Sequence, residues 1–369
     1  MRRRTGAAAP TTAEVAPPLS GRTLSAVLRR YDAGEPVSCE PLSEGLLNHG
    51  YRLATTRGRF FLKHHLDDVD AARPARGGTT VRVLRRQHRA MAELARLGLP
   101  VTPPVPDRDG ETVVVHRGRR YALHPWVEGR HRRGGELSGA DCRRLGALLG
   151  RVHRALERVI VRPAGIPATA AAAEPSDTYA LIDRLLARVR ERPRRSGFDE
   201  LAEHRLLERR ELLRRHAHAK PTAEQIPAAG WVHGDFHPLN LLYRGGSGAP
   251  GDGPDEPVAI IDWDRLGVQP RAEEAVRAAA IFFLRPDGGL DLPKVRAYAR
   301  AYRRAAGAPA EELAAAVHRV WWERLNDFWM LTWHYERGDH RADPQFPAAA
   351  ALVVWWTRNA PAVRDAFCD

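Results

Sequence analysis

Residues 37–65 alternate apolar and polar positions on either side of a glycine-containing turn, most clearly in "YRLATTRGRFFLKHH". A period of two predicts two strands, 51–54 and 59–63, joined by a turn at 56–58. From residue 81 the period changes. Val83, Leu84, Met91, Leu94 and Leu97 recur at helical spacing, and Gly98 follows as a C-cap signal, so 81–97 reads as a helix. "TVVVHRGRRYALHPWV" then returns to strand character around a turn at 117–119. Residues 37–125 are therefore expected to form strands with one helix between them.

Beyond residue 126 the pattern is mainly helical. Ser138 is placed to cap a helix running through Arg158, whose Leu145, Leu148, Leu149, Val152 and Leu156 share one face. Residues 160–175 are rich in Ala and Pro and read as a linker; two Arg-rich helices follow near 176–192 and 198–218. A glycine-rich loop at 245–257 leads into "VAIIDWD", a buried strand ending in two acids, and helices resume at Arg271. The aromatic stretch 320–340 reads as one helix. Trp322, Asn326, Trp329 and Trp333 share one side, and Trp321, Leu325, Phe328 and Tyr335 another. Such a helix is mostly buried, which makes its tryptophans core. The remaining stripe, with Glu323, Asp327 and His334, is either a solvated face or the wall of a substrate pocket.

The chain has 369 residues, 43% hydrophobic and 28% charged, enough for a large core in two lobes. Residues 1–36 are expected to be a weakly ordered N-terminal segment. No apolar run approaches the roughly 18–20 residues a membrane span needs, so no membrane role is expected. Cys39, Cys142 and Cys368 are widely spaced and form neither a disulfide framework nor a metal motif, which suits a reducing cytoplasm. The net charge of +13 raises the question of nucleic acid. Its arginines, however, lie along helices without interleaved aromatics, and no nucleic-acid partner is expected. Only three of the 58 basic residues are lysines, so Lys63 inside an apolar strand is not explained by general basicity.

The chemistry concentrates in "WVHGDFHPLNLLY", residues 231–243, which holds one of the four asparagines of the chain. His233 and His237 have the spacing of two metal ligands on a helix, but Gly234 and Pro238 argue against a helix there. A plain polar turn is the other modest reading. Phosphoryl transfer uses every piece. It needs an aspartate to take the proton of an attacking hydroxyl, an amide oxygen a few residues on to hold a divalent metal, and a second aspartate on a neighbouring strand end. Asp235, Asn240 and Asp262 fit those three parts. The segment 241–262 has the form of a hairpin that brings Asp262 beside Asn240. Lys63, at the end of an N-terminal strand, is suited to reach nucleotide phosphates.

"HGDFHPLN", "IIDWD", "SEGLLNHGYRL", "FFLKHH", "GLPVTPPVP" and "YALHPWVEG" together resemble the aminoglycoside phosphotransferase-like kinases, a family that includes choline and homoserine kinase relatives and shares the protein-kinase fold. The resemblance covers roughly residues 38–285. It implies an α+β, bilobal protein-kinase-like fold: a small antiparallel-sheet N-lobe at 37–125 and a larger, mainly helical C-lobe at 126–369. It implies ATP and Mg2+ as cofactors and a small-molecule hydroxyl as acceptor. Asp235 would be the catalytic base, Asn240 and Asp262 the metal ligands, and Lys63 the phosphate contact. The turn 43–50, with Ser43, Gly45 and Asn48, would cover the triphosphate, and the backbone around His124 and Trp126 would meet adenine. His233 is expected to brace the loop. His237, Asp264, Glu323 and Asp327 are candidate acceptor contacts, the last two favouring an acceptor that carries an ammonium group.

Two departures stand out. The helix after Lys63 holds Gln87 and His88 where a glutamate partner for the lysine is expected, and Glu274-Ala275-Val276 stands where Asp-Leu-Ala often follows the metal strand. The alternatives are a catalytically silent nucleotide-binding module and a protein or peptide kinase; "HGD" in place of His-Arg-Asp argues against the latter.

Overall fold

The structure, a computed structural model, describes residues 16–42, 48–66, 80–161, 171–244 and 256–369. The chain folds as two compact units. One comprises the chain up to Arg89 with Thr102–Trp126, the other Ala90–Val101 with Val127–Asp369.

The first unit is built on helix α1 (Gly21–Leu28), strands β1 (Pro36–Pro41), β2 (His49–Thr55) and β3 (Gly58–His65), the start of α2 (Val81–Arg96), and β4 (Val114–His116) and β5 (Arg119–Pro125). The strands form one antiparallel sheet in the order β1-β2-β3-β5-β4. Alternation predicts its β2–β3 and β4–β5 hairpins. The β4–β5 loop is Arg117-Gly118, with φ of 51° and 76°. Two successive left-handed residues make the turn whose twist matches that of paired strands. Leu53, Leu62, Tyr121 and Leu123 form the sheet side of the core.

The other side of that core departs from the sequence reading of 1–36 as weakly ordered. Gly21–Leu28 is a helix capped by Ser20, whose side chain accepts the Thr23 N–H. Leu24, Val27 and Leu28 lie three and four residues apart and are buried, with Tyr31 beside them. An eight-residue amphipathic helix is too short to stand out by periodicity, and its stability comes from packing. Residues 1–15 lie outside the described residues.

The second unit contains the end of α2, then α3 (Gly139–Val159), α4 (Pro175–Arg190), α5 (Gly197–His216), β6 (Ala229–Val232), β7 (Leu241–Tyr243), β8 (Pro257–Ile260), β9 (Gly267–Pro270), α6 (Arg271–Phe282), α7 (Leu292–Ala306), α8 (Ala310–Asn326), α9 (Trp329–Thr332), α10 (Phe346–Arg358) and α11 (Ala360–Cys368). Its strands pair as two short antiparallel ribbons, β6 with β9 and β7 with β8. Helix α3 begins with a reciprocal cap between Ser138 and Asp141 and buries its leucine face. It lies directly against α7: a Cβ on Gly146 would stand 2.1 Å from the Tyr298 carbonyl oxygen.

The segment 320–340 is not one helix. Helix α8 ends at Asn326, and Asp327 is extended, with φ −100° and ψ 126°. Its carboxylate accepts the Trp329 N–H at 3.0 Å, so a side chain competes successfully with the helical backbone at that point. The chain restarts as α9 and continues into a π turn, Trp333–Arg337. The break divides the aromatics between two cores. Trp321, Trp322 and Leu325 join the main one, while Phe328 and Leu331 pack with Ile182, Leu185, Leu206 and Phe346. No helix among the described residues is long and apolar enough to cross a membrane.

Candidate active site

Strand β6 delivers His233 to a fully buried position, and the chain then turns through Gly234 with φ +88°. A Cβ on Gly234 would lie 2.1 Å from the Arg265 carbonyl oxygen, so both the conformation and the space demand glycine. The turn is held from α6. Glu274 accepts the His233 N–H at 3.2 Å and also the Gly234 N–H. Its Oε2 lies 2.7 Å from His153 Nε2, and His153 Nδ1 lies 3.1 Å from the Tyr302 hydroxyl. Burial works against ionisation of Glu274, but the hydrogen bond and charge of His153 outweigh it and hold the carboxyl below its usual range.

His233 is fixed at both ring nitrogens. Its Nδ1 accepts the Asp235 N–H at 3.2 Å, which leaves the proton on Nε2, 3.0 Å from the Ile261 carbonyl. Burial holds its pKa down in spite of the carboxylates around it. The ring therefore stays neutral and links the loop to the strand that leads to Asp262.

Asp235 is about a third exposed, at 33%, with Oδ2 3.6 Å from His237 Nε2 and 3.8 Å from Arg265 Nε. Burial raises its pKa, but His237 and Arg265 more than offset this, and the carboxyl sits below its ordinary value. It is therefore ionised at neutral pH. His237 Nδ1 accepts the Leu239 N–H at 3.2 Å, which orients Nε2 toward Asp235. Asn240 is buried at the end of a 3-10 turn, Pro238–Asn240. Its Nδ2 donates to the Asp235 carbonyl at 2.8 Å, so the amide oxygen is the acceptor that remains. The Asn240 carbonyl in turn accepts the Ile261 N–H at 2.9 Å, next to the β7–β8 register pair Leu241 and Ile260. Asp262 thus follows directly from the residue bonded to Asn240. It is exposed and left-handed, with φ 58° and ψ 67°. Among the described residues only Asp262 and Arg117 have positive φ without being glycine, and such strain gathers at functional sites. An amide oxygen and a carboxylate on adjacent strand ends form a hard-oxygen pair, the donor type that suits magnesium.

In the first unit Lys63 is buried in the middle of the sheet, in register with Gly50 on β2 and Ala122 on β5. Gln87 and His88 of α2 are both buried. His88 bonds to Thr112 Oγ1 at 2.8 Å, and burial, with the charges of His124 and Lys63, lowers its pKa to about 3. A neutral imidazole therefore stands near Lys63. Asn48 Oδ1 accepts the Leu66 N–H at 3.0 Å. His124 Nδ1 lies 3.4 Å from the Thr102 carbonyl, and the Trp126 N–H donates to Arg59 at 3.1 Å, its ring under the Arg52 guanidinium. Ser43 and Gly45 lie outside the described residues.

Glu323 and Asp327, the expected acceptor stripe, do not lie on one continuous helix. Glu323 is on α8 and pairs with Arg277 at 2.9 Å, while Asp327 lies past the helix end and caps Trp329. The indoles beside them, Trp321 and Trp322, are core. Asp264 is half-buried in the 3-10 turn Trp263–Arg265 that starts at Asp262. Three residues gain a role that the pattern did not give them. Glu274 carries the loop, and its signal was a buried acid next to Glu273 in the Ala-rich helix 271–282; His153 supports it, and Arg265 flanks Asp235.

A family model, the phosphotransferase enzyme family, matches residues 38–308. A homoserine kinase of Gluconobacter oxydans is 30% identical over 229 residues, 62% of this chain and 63% of the relative, so the chain spans less than two thirds of that relative. Among solved structures, an aminoglycoside phosphotransferase from Alicyclobacillus acidocaldarius superposes with a TM-score of 0.61 at 16% identity, covering 95% of each chain. A microcompartment-associated aminopropanol kinase gives 0.58 at 19% identity, over 95% of this chain and 99% of the other. These likenesses fix the fold as the kinase-like α+β arrangement that the sequence motifs imply. With the motif loop, the β7–β8 hairpin and the sheet in place, the chain belongs to the phosphotransferase enzyme family.

Proposed function

We propose that the protein transfers the γ-phosphoryl group of ATP to a hydroxyl of a small molecule. The observation that carries this reading is the backbone tie among the three residues: Asn240 Nδ2 donates to the Asp235 main-chain carbonyl at 2.8 Å, and the Asn240 main-chain carbonyl accepts the Ile261 N–H at 2.9 Å, one residue before Asp262. Asn240 and Asp262 would hold the magnesium ion. When bound, that ion supplies charge neutralisation on the phosphate oxygens. Asp235, ionised, orients the acceptor hydroxyl and takes its proton as the oxygen bonds to the γ-phosphorus and ADP departs. Glu274 and His233 keep the loop in one conformation, so the carboxylate needs no reorganisation as the reaction proceeds. Lys63 is assigned to the nucleotide phosphates.

For the acceptor, the ammonium-binding stripe no longer supplies an argument, because Glu323 is paired with Arg277. Support comes from the homoserine kinase relative and from Arg265, a cation 3.8 Å from the Asp235 carboxylate that suits an acceptor bearing a carboxylate. An amino acid alcohol of the homoserine class is therefore the proposed acceptor. The second reading, a silent nucleotide-binding module, is favoured by the sequence of α2, which has Gln87 and His88 where a glutamate is expected. Phosphorus NMR of the protein with Mg·ATP and a panel of homoserine, aminopropanol, choline and aminoglycosides tests both. A new phosphomonoester with homoserine is expected. Nucleotide binding with no transfer to any member would favour the silent module.

A further inference from the structure

A second cluster of ligand-type side chains lies outside the catalytic loop. His334 is in the π turn Trp333–Arg337, and Asp343 opens the 3-10 turn Asp343–Gln345 that runs into α10. His340 lies between them. His334 Nδ1 is 2.8 Å from Asp343 Oδ2 and 3.0 Å from His340 Nδ1, which is itself 3.1 Å from Asp343 Oδ2. We propose that His334, His340 and Asp343 form a binding site for a divalent transition metal of the zinc class.

The donor set carries the choice of ion. Two imidazole nitrogens and one carboxylate oxygen suit zinc and its neighbours, not magnesium or calcium. Bonds of about 2.0–2.1 Å in a tetrahedral site put ligand atoms about 3.3 Å apart, so the three atoms need to separate by only a few tenths of an ångström. Two Nδ1 atoms 3.0 Å apart have room for a single proton between them, and a cation replaces it. The other oxygen of Asp343, Oδ1, is buried without a hydrogen-bond partner among the described residues. His334 is already oriented: it is buried and stacked on Phe198 at 4.2 Å, with ring planes 15° apart. His340, with a side chain 41% exposed, leaves a solvent side where water completes the coordination.

One contact opposes loading. Arg192 Nη1 lies 3.3 Å from His334 Nε2, which in the metal-free protein accepts from it and leaves the proton on Nδ1. Metal on Nδ1 moves that proton to Nε2 and ends the contact. Arg192 also pairs with Asp199 at 3.1 Å through the same Nη1 and is 40% exposed, so a small rotation about that pairing releases His334. The bound ion would tie the π turn to the start of α10 as a structural cross-link.

The test uses the full chain, stripped of metal with a chelator and free of nucleotide. Zinc is titrated in competition with a chromophoric chelator, and cobalt is followed by its visible ligand-field bands. The wild type should bind one equivalent that His340→Ala and Asp343→Asn each weaken by at least about tenfold, while Arg192→Ala binds as tightly as wild type or more so. Cobalt should show no thiolate charge-transfer band, which separates this site from one built on the three cysteines. Zinc should raise the Tm of wild type and not of His340→Ala, a variant at an exposed position whose fold is checked by circular dichroism. Equal stoichiometry and affinity in wild type and both ligand variants, or no zinc uptake by the wild type, would overturn the proposal.

Discussion

Glu274→Gln isolates the support of the catalytic loop from its chemistry, since Glu274 bonds the loop backbone and not the groups assigned to phosphoryl transfer. The carboxylate has two oxygens. One accepts the Gly234 N–H; the other accepts both the His233 N–H at 3.2 Å and His153 Nε2 at 2.7 Å. A glutamine keeps one acceptor and turns the other position into a donor. If its oxygen stays on Gly234, His153 can present Nε2 as an acceptor to the new amide while Nδ1 keeps its bond to Tyr302. The His233 N–H has no such escape and loses its acceptor. An orphaned buried N–H costs about 1–3 kcal/mol, and loss of a charge-assisted bond adds to it. The expected destabilisation is therefore roughly 3 kcal/mol, or about 6–12 °C in Tm for a unit of this size. Glu157→Gln is the control. Glu157 is 43% exposed in its pair with Arg271, and an exposed pair contributes at most about 1 kcal/mol. The pH dependence follows from the sign of the shift. The Glu274 pKa is lowered in the folded state, so its contribution is complete above the ordinary value near ~4.3 and is lost as pH falls through the folded value. The gap in Tm between wild type and Glu274→Gln should be widest near neutral pH and shrink below about pH 4. A variant as stable as Glu157→Gln, or a gap independent of pH, would refute the reasoning.

Gly234→Ala should be folded poorly or inactive, because its Cβ meets the Arg265 carbonyl at 2.1 Å; normal kcat in this variant would mean the turn is not needed for catalysis. Asp262→Ala should lose magnesium-dependent nucleotide binding, measured by calorimetry with and without the ion, and unchanged affinity would remove Asp262 from the metal site. Lys63→Ala should reduce kcat/KM for ATP, and because the nearby His88 is neutral the loss should fall on kcat more than on nucleotide affinity. Arg265→Ala should raise KM for homoserine while leaving KM for ATP within about twofold; the reverse pattern would detach Arg265 from the acceptor.

The elements that the pattern showed best were those held by local rules. The β2–β3 and β4–β5 hairpins follow from alternation and turn residues, and α3 from its Ser138 cap and single leucine face. The motif loop was legible because Asp235, Asn240 and Asp262 interrupt apolar strands. Long-range effects were not legible. The break at Asp327 depends on one side-chain bond to Trp329, and aromatics on two sides of a helical pattern fit one long helix or two short ones equally well. Pairing of Glu323 with Arg277 crosses from α8 to α6, which no spacing reveals. The support of the loop by Glu274 crosses forty residues and needs a buried acid among alanines, which reads as an ordinary helix position until His153 is seen beside it.

The central claim rests on Asp235 as the group that takes the acceptor proton. Its carboxylate touches His237 and Arg265, while its backbone carbonyl holds Asn240, so Asp235→Asn changes the proton acceptor and leaves the Asn240 bond in place. Measured on purified protein with Mg·ATP and the acceptor identified by phosphorus NMR, Asp235→Asn should bind nucleotide within a few-fold of wild type and turn over about 10²–10⁴-fold more slowly. Turnover within about threefold of wild type would contradict the account.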